Sequence, residues 1–207
     1  MEKKLLNWPL INLHKLLNNF PLHSKIDLTS TYSMEDEKIK FWMSPKEKNF
    51  ILAFLKKEDV MLEWGSGGST LELSKHVKKY YSIEHDKVWY EKIKNILVAN
   101  NNVSLHYVAS DKPRSSTDPN FSEQPSSYDE FATYINYGNK LGIKFNKVLI
   151  DGRARRWCAE EIIKHLCDDA IVFIHDFGIP ERQRYNSVLK FYSILGISET
   201  LVALKVK

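Results

Sequence analysis

The chain has 207 residues, 43% of them hydrophobic and 27% charged. That is the size and balance of one globular domain, which can bury a core without disulfide or metal staples. Thirty basic residues against 26 acidic ones give a formal charge of +4, too even a balance to mark a nucleic-acid binder, and no run approaches the roughly 18 apolar residues of a membrane span.

Residues 1–43 are expected to form an N-terminal helical cap. Leu5, Leu6, Ile11, Leu13, Leu16, Leu17 and Phe20 have amphipathic spacing, disturbed by Pro9. This face suits either the core or a partner. Asn7, Asn12, His14 and Lys15 interrupt the apolar run, and no small-residue cleavage site follows, so the segment does not read as a signal peptide. Ser44-Pro45-Lys46-Glu47 then opens a helix with a hydroxyl N-cap, a first-turn proline and a Glu at the third position. Its apolar face is Phe50, Ile51, Phe54 and Leu55.

From there strands and helices alternate. Val60–Trp64 reads as a strand, and Ser69-Thr70-Leu71-Glu72 as a second capping box opening a helix to about Lys79. Tyr80–Glu84 reads as a strand, Lys87–Val98 as a helix and Val103–Ser110 as a strand. Residues 112–140 begin Ser/Pro-rich and end aromatic, as expected of an acceptor-site lid or a mobile loop. Their Tyr128, Phe131, Tyr134 and Tyr137 suit stacking on a sugar or packing in the core. Phe145–Ile150 is a strand, Arg155–Cys167 a helix and Ala170–His175 an apolar strand. Phe191–Thr200 and Leu201–Lys207 follow almost without connection, hence as antiparallel neighbours. The rhythm predicts an α/β, Rossmann-like sheet, mostly parallel with an antiparallel last strand and helices on both faces. The cysteines, Cys158 and Cys167, fall in one expected helix. Two thiols without a disulfide framework suggest a reducing, cytoplasmic location.

The Gly-rich turn after the first strand, in LEWGSGGST (residues 62–70), sits where open α/β sheets bind ligands. It lacks the Lys of a phosphate loop, and the third Gly of a dinucleotide fingerprint is replaced by Thr70. Glu63 at the strand end repels a pyrophosphate and suits a cationic ligand. Glu84 lies near the spacing at which an acidic residue binds a ribose diol. Together these features ask for an adenosine with a cationic tail, such as S-adenosylmethionine.

With SIEHD and VLIDGRAR, this stretch resembles the class I S-adenosylmethionine-dependent methyltransferases over roughly residues 44–207. The resemblance implies that Glu63, Gly65, Ser66 and Gly67, with Ser69 and Thr70, hold the methionine part. It implies that Glu84, with His85, binds the ribose, and that Ser110 and Asp111 border the adenine. A narrower similarity is to the methyltransferase domain of chlorovirus capsid-glycan synthesis proteins, which act on hydroxyls of a terminal rhamnose.

Acceptor chemistry is expected at the fourth and fifth strand ends, from Asp151, His175 and Asp176. A hydroxyl acceptor must lose a proton, and these are the candidate bases. Catechol-type O-methyltransferases bind Mg2+ through acidic residues at both strand ends, which makes Asp151 and Asp176 candidate metal ligands. The usual third ligand position is Phe177, which cannot ligate. Arg153 and Arg155, with Tyr128, are candidates to grip an acidic or sugar acceptor, or the arginines form a solvated helix start. Asp151-Gly152 is not the Asn/Asp-Pro-Pro-aromatic motif of base-amino methyltransferases. Asp118-Pro119-Asn120-Phe121 resembles it but lies in a loop without the second Pro. The G-S-G-G-S-T turn and the D-G-R strand end resemble those of sugar and natural-product O-methyltransferases, which implies an O-methyltransferase of a sugar, glycan or similar small acceptor. The rivals are an RNA or other small-molecule methyltransferase, an NAD-dependent oxidoreductase and a non-catalytic nucleoside-binding adaptor.

Overall fold

A computed structural model describes residues 39–112 and 127–207, with the backbone alone for 180–184. Residues 1–38 of the expected N-terminal cap, the polar half of the expected lid and Asp118–Phe121 lie outside the described residues. Residues Ile39–Lys207 form one unit.

That unit begins with α1 (Pro45–Leu52), where the expected capping box forms in full: the Glu47 N–H bonds Ser44 Oγ and the Ser44 N–H bonds Glu47 Oε2. Then come β1 (Val60–Trp64), α2 (Gly68–Leu73), β2 (Lys79–Glu84), α3 (Lys87–Ile96) and β3 (Val103–Tyr107). The second half adds α4 (Ala132–Lys140), β4 (Phe145–Ile150), α5 (Arg155–Glu161), β5 (Leu166–Ile174), a 3-10 segment Pro180–Lys190, β6 (Tyr192–Ser198) and β7 (Leu201–Val206). Among the described residues the sheet has seven strands in the order β3-β2-β1-β4-β5-β7-β6. All pairs are parallel except those of β7, which runs antiparallel to both β5 and β6.

Alternate strand residues supply two cores. Leu62, Trp64, Val148, Ile150, Val172 and Ile174 pack under α4, α5 and the 3-10 segment. Met61, Leu149, Phe173 and Ala203 pack under α1 and α2, through Ile51 and Leu73. Both faces of the sheet are therefore covered, which is why its strands read as continuous apolar runs. At the amino end of the sheet a buried Lys147–Asp59 ion pair (3.3 Å) joins β4 to the residue before β1.

Several boundaries differ from the sequence reading. The helix expected to reach Lys79 stops at Leu73 and continues only as a 3-10 turn to His76. The Asp59 carbonyl takes the N–H groups of Lys78 and Lys79, drawing them toward the sheet. Its N-cap is Gly67, whose N–H bonds Thr70 Oγ1; Ser69 lies inside the first turn. The helix from Arg155 ends at Glu161 with a 3-10 turn to His165, because Leu166 already pairs with Phe145. Cys167 is therefore in β5 and not in the helix of Cys158. The third strand ends at Tyr107, short of Ser110. The aromatic end of the expected lid, Ala132–Lys140, is a core helix: Tyr134 and Ile135 are fully buried. A Cβ on Gly138 would stand 3.0 Å from the Leu62 and Trp64 side chains, so the helix lies directly on β1.

Candidate functional site

Between β1 and β4 the chain reverses its direction of travel across the sheet, and the carboxyl ends of both strands meet there. A crevice at such a switch point is where open α/β sheets receive ligands. Three glycines build one wall, for different reasons. Gly65 has φ +93, and a Cβ there would lie 2.6 Å from the backbone of Gly152. A Cβ on Gly68 would lie 2.6 Å from the Lys40 carbonyl and the Phe41 nitrogen. Residues 39–43, expected to belong to the N-terminal cap, thus pack on this turn. Gly67 is extended (φ 176), and nothing lies within 4 Å of a Cβ placed on it. The fold requires the first two glycines; the third borders open space.

That space is a cavity of about 160 Å³, lined by residues 65–69, by Asp151 and by Trp42 and Trp89 among others. Sites that enclose a drug-sized molecule run to roughly 300–1,000 Å³, so this one has room for only part of such a molecule. Trp89 Nε1–H donates to the Ser66 carbonyl at 2.6 Å, fixing one tryptophan at the rim.

Glu63 lies behind the turn. It is fully buried and accepts from Ser69, from Thr70 (2.5 Å) and from Ser82 (2.7 Å). With Ser82 and Thr70 donating to the carboxylate, Ser66 must donate to Ser82 (2.7 Å) and Thr70 must accept from the Gly67 N–H (2.9 Å). One acceptor thereby orients the whole turn. Burial pushes Glu63 up to about 7, against the three hydroxyls, which lower it; the charge of Asp151 raises it further. The direct grip on a cationic ligand expected of Glu63 gives way to bracing from beneath, because all its oxygens face protein hydroxyls.

Glu84, at the end of β2, is 3% exposed. Oε2 accepts from the Ser66 N–H (3.0 Å), and Oε1 from the N–H groups of His85 and Asp86 (both 2.8 Å). Oε1 also lies 2.9 Å from His85 Nδ1, so the roughly four acceptor positions of the carboxylate all face protein groups, and neither Glu84 nor His85 lines the cavity. The His85 ring packs edge-on against Phe131 and Tyr134. Ser110, Asp111, Arg153 and Tyr128 do not line the cavity. Asp111 takes the Thr133 N–H (2.8 Å) and hydroxyl (2.5 Å), and those bonds hold its carboxyl below the usual range. Tyr128 accepts from Asn136 (2.9 Å) and packs on Trp157, and the Arg153 carbonyl accepts from the Cys158 thiol. Phe131 and Tyr134 are buried, which settles their reading as core rather than exposed stacking groups.

Opposite the turn, the ends of β4 and β5 carry a connected set of charges. His175 Nδ1 lies 2.8 Å from Asp151 Oδ1, and Nε2 lies 3.5 Å from Glu47 Oε2. Burial lowers His175, but the bond and charge of Asp151 and the charge of Asp176 outweigh it and raise the ring above its ordinary 6.5. Both nitrogens face carboxylates and His175 does not line the cavity, so the ring is held between Asp151 and Glu47 instead of turned toward an acceptor. Arg155, 9% exposed, reaches the Gly152 carbonyl (3.0 Å), the His175 carbonyl (2.5 Å), Asp176 (3.0 Å) and Asp151 (3.3 Å). It is therefore an internal clamp and not an acceptor-gripping surface arginine. Asp176, in the left-handed region (φ 57) that Asp tolerates better than most residues, serves that clamp.

Asp151, His175 and Asp176 have ligand atoms within 4.8 Å of one another, the spacing of a metal site. Nonetheless the guanidinium already lies between the two aspartates, so the set does not fit the Mg2+ role that the sequence raised.

Sequence reasoning missed Glu47, Trp42 and Trp89. Glu47 was legible only as a capping residue; its bonds to the Thr200 N–H and hydroxyl span 153 positions.

No protein-family model matches the chain, and no curated protein does. Solved structures do. A methyltransferase-like protein of Silicibacter pomeroyi is 24% identical at a TM-score of 0.64, with 82% of this chain and 89% of that one covered. The precorrin 8w decarboxylase of Methanobacterium thermoautotrophicum is 16% identical at 0.53, with 80% and 91% covered. A putative methyltransferase of Streptococcus mutans in complex with S-adenosylhomocysteine (SAH) is 14% identical at 0.52, with 77% and 94% covered. The fold is the Rossmann-like methyltransferase fold, and its hosting a decarboxylase shows that fold alone does not fix the reaction.

Proposed function

We propose that the protein is an S-adenosylmethionine-dependent O-methyltransferase acting on a hydroxyl of a small polar acceptor, such as a sugar in a glycan. Among such acceptors is the terminal rhamnose suggested by the chlorovirus resemblance. The observation that carries the reading is Gly67: an unobstructed backbone position, facing a cavity at the switch point that Asp151 also lines. A side chain at Gly67 would fill the cradle, so its absence serves a ligand. Cavity size suits the methionyl end of the methyl donor, seated against Gly67, Gly68 and Asp151. Glu84 and His85, at the end of β2, are assigned to the ribose, whose hydroxyl would take the place of the His85 ring at Glu84 Oε1.

S-adenosylmethionine, when bound, supplies an electrophilic methyl carbon on a positive sulfur. As the carbon–sulfur bond breaks and a carbon–oxygen bond forms, the acceptor hydroxyl gives up its proton, and neutral SAH remains. Asp151 is the carboxylate placed to orient that hydroxyl and take the proton. Holding the oxygen near 3–3.5 Å from the methyl carbon supplies much of the rate, and a positioned base adds about 10²–10⁴-fold.

An acceptor screen read by mass spectrometry tests this. A mass gain of one methyl group on a hydroxylated acceptor is expected. Asp151→Asn is expected to slow it by about 10²–10⁴-fold with SAH affinity nearly unchanged. Methylation confined to nitrogen acceptors, or full activity in Asp151→Asn, would contradict the assignment.

A further inference from the structure

The ends of β4 and β5 look like a divalent-metal site and are wired as something else. A metal site needs its ligand atoms to converge on open space, and Mg2+ demands near-octahedral oxygen geometry with several waters. Here Asp151 Oδ1 receives His175 Nδ1 at 2.8 Å and Arg155 Nη2 at 3.3 Å, while Asp176 Oδ2 receives Arg155 Nη1 at 3.0 Å. The guanidinium cannot swing aside cheaply. It is 9% exposed, its Nε and Nη1 also satisfy the carbonyls of Gly152 and His175, and its face lies over Tyr185. Displacing it strands two carbonyls and a buried cation, and leaving it in place sets a fixed positive charge against the incoming ion.

We propose that Arg155 is the resident cation of this strand edge: a positioning residue that replaces a divalent ion between Asp151 and Asp176 and aims Asp151 at the cavity. It acts as a planar fork, which suits two carboxylates and two carbonyls at once where a lysine offers only a point charge. The inference rests on the proposed function only for what Asp151 does next; the exclusion of metal stands on geometry alone.

Mn2+ titration followed by electron paramagnetic resonance tests it, on the 207-residue wild type and on Arg155→Met, whose fold is checked by circular dichroism. Wild type is expected to leave Mn2+ free at millimolar concentration. Arg155→Met, with the Asp151 and Asp176 carboxylates unlocked, is expected to bind one ion at least about tenfold more tightly. Stoichiometric Mn2+ uptake by wild type overturns the proposal without reference to any variant. So does a folded Arg155→Met that gains none. SAH calorimetry on the same wild-type sample separates the two readings: loss of SAH binding with Mn2+ still excluded sinks the methyltransferase assignment and leaves Arg155 as the resident cation.

Discussion

Glu63 shows how one residue sets the behaviour of the turn. Burial favours its neutral form, three hydroxyls favour the charged form, and the balance lies at about 7. The folded-state value lies above the ordinary 4.5, so the stability this group contributes is complete below about 4.5 and is lost as pH rises through about 7. The full swing is on the order of 3 kcal/mol. Melting temperatures measured between pH 5 and 8 are expected to fall more steeply in wild type than in Glu63→Gln, which cannot ionise. His175, also raised, drives the same trend in both proteins, so the difference between the slopes isolates Glu63. Equal slopes would contradict the account. Glu63 was legible in the sequence as a ligand for positive charge because it ends a strand before glycines. Its true partners, Ser69, Thr70 and Ser82, come from two elements, and Ser82 is placed only by β1–β2 pairing.

At the level of elements, α1 is tied to the far edge of the site through Glu47. Burial alone would raise this carboxyl, but the bonds from Thr200 and Ser44 and the charge of His175 hold it below its ordinary 4.5. It links the start of α1, the turn before β7 and the end of β5. The imidazole resonances of His175 are expected to stay in the protonated form above pH 6.5 in wild type, and to titrate at lower pH in Glu47→Gln. His175 contributes stability that is present below about 6.5 and lost as pH passes its raised value. A ring that titrates identically in both proteins would sever this link. Elements were readable where local chemistry decides them: the Ser44 capping box and the final hairpin needed only their own residues. Boundaries set by distant pairing were not. The Lys79 end of the second helix was taken by the Asp59 carbonyl, and Cys167 by the register of β5 on β4.

For the whole molecule, alternation and continuous apolar strands were enough to specify a parallel sheet covered on both faces. The order β3-β2-β1-β4-β5-β7-β6 brings the Gly-rich turn and Asp151 together across 86 residues. The pieces of the site were visible in the sequence because strand ends carry them. Which of them face the cavity was not, since Glu63 and Arg155 turn inward only through contacts among elements distant in sequence. Among the described residues no helix is long and apolar enough to cross a membrane.

The central claim is that the open space at Gly67 receives the methyl donor. Gly67→Val separates fold from ligand, because its backbone is extended and a Cβ meets nothing within 4 Å. Calorimetry with SAH is the direct test: wild type binds, and Gly67→Val loses at least about tenfold in affinity while melting close to wild type. A wild type that does not bind SAH, or a Gly67→Val protein that binds it equally well, would contradict the account.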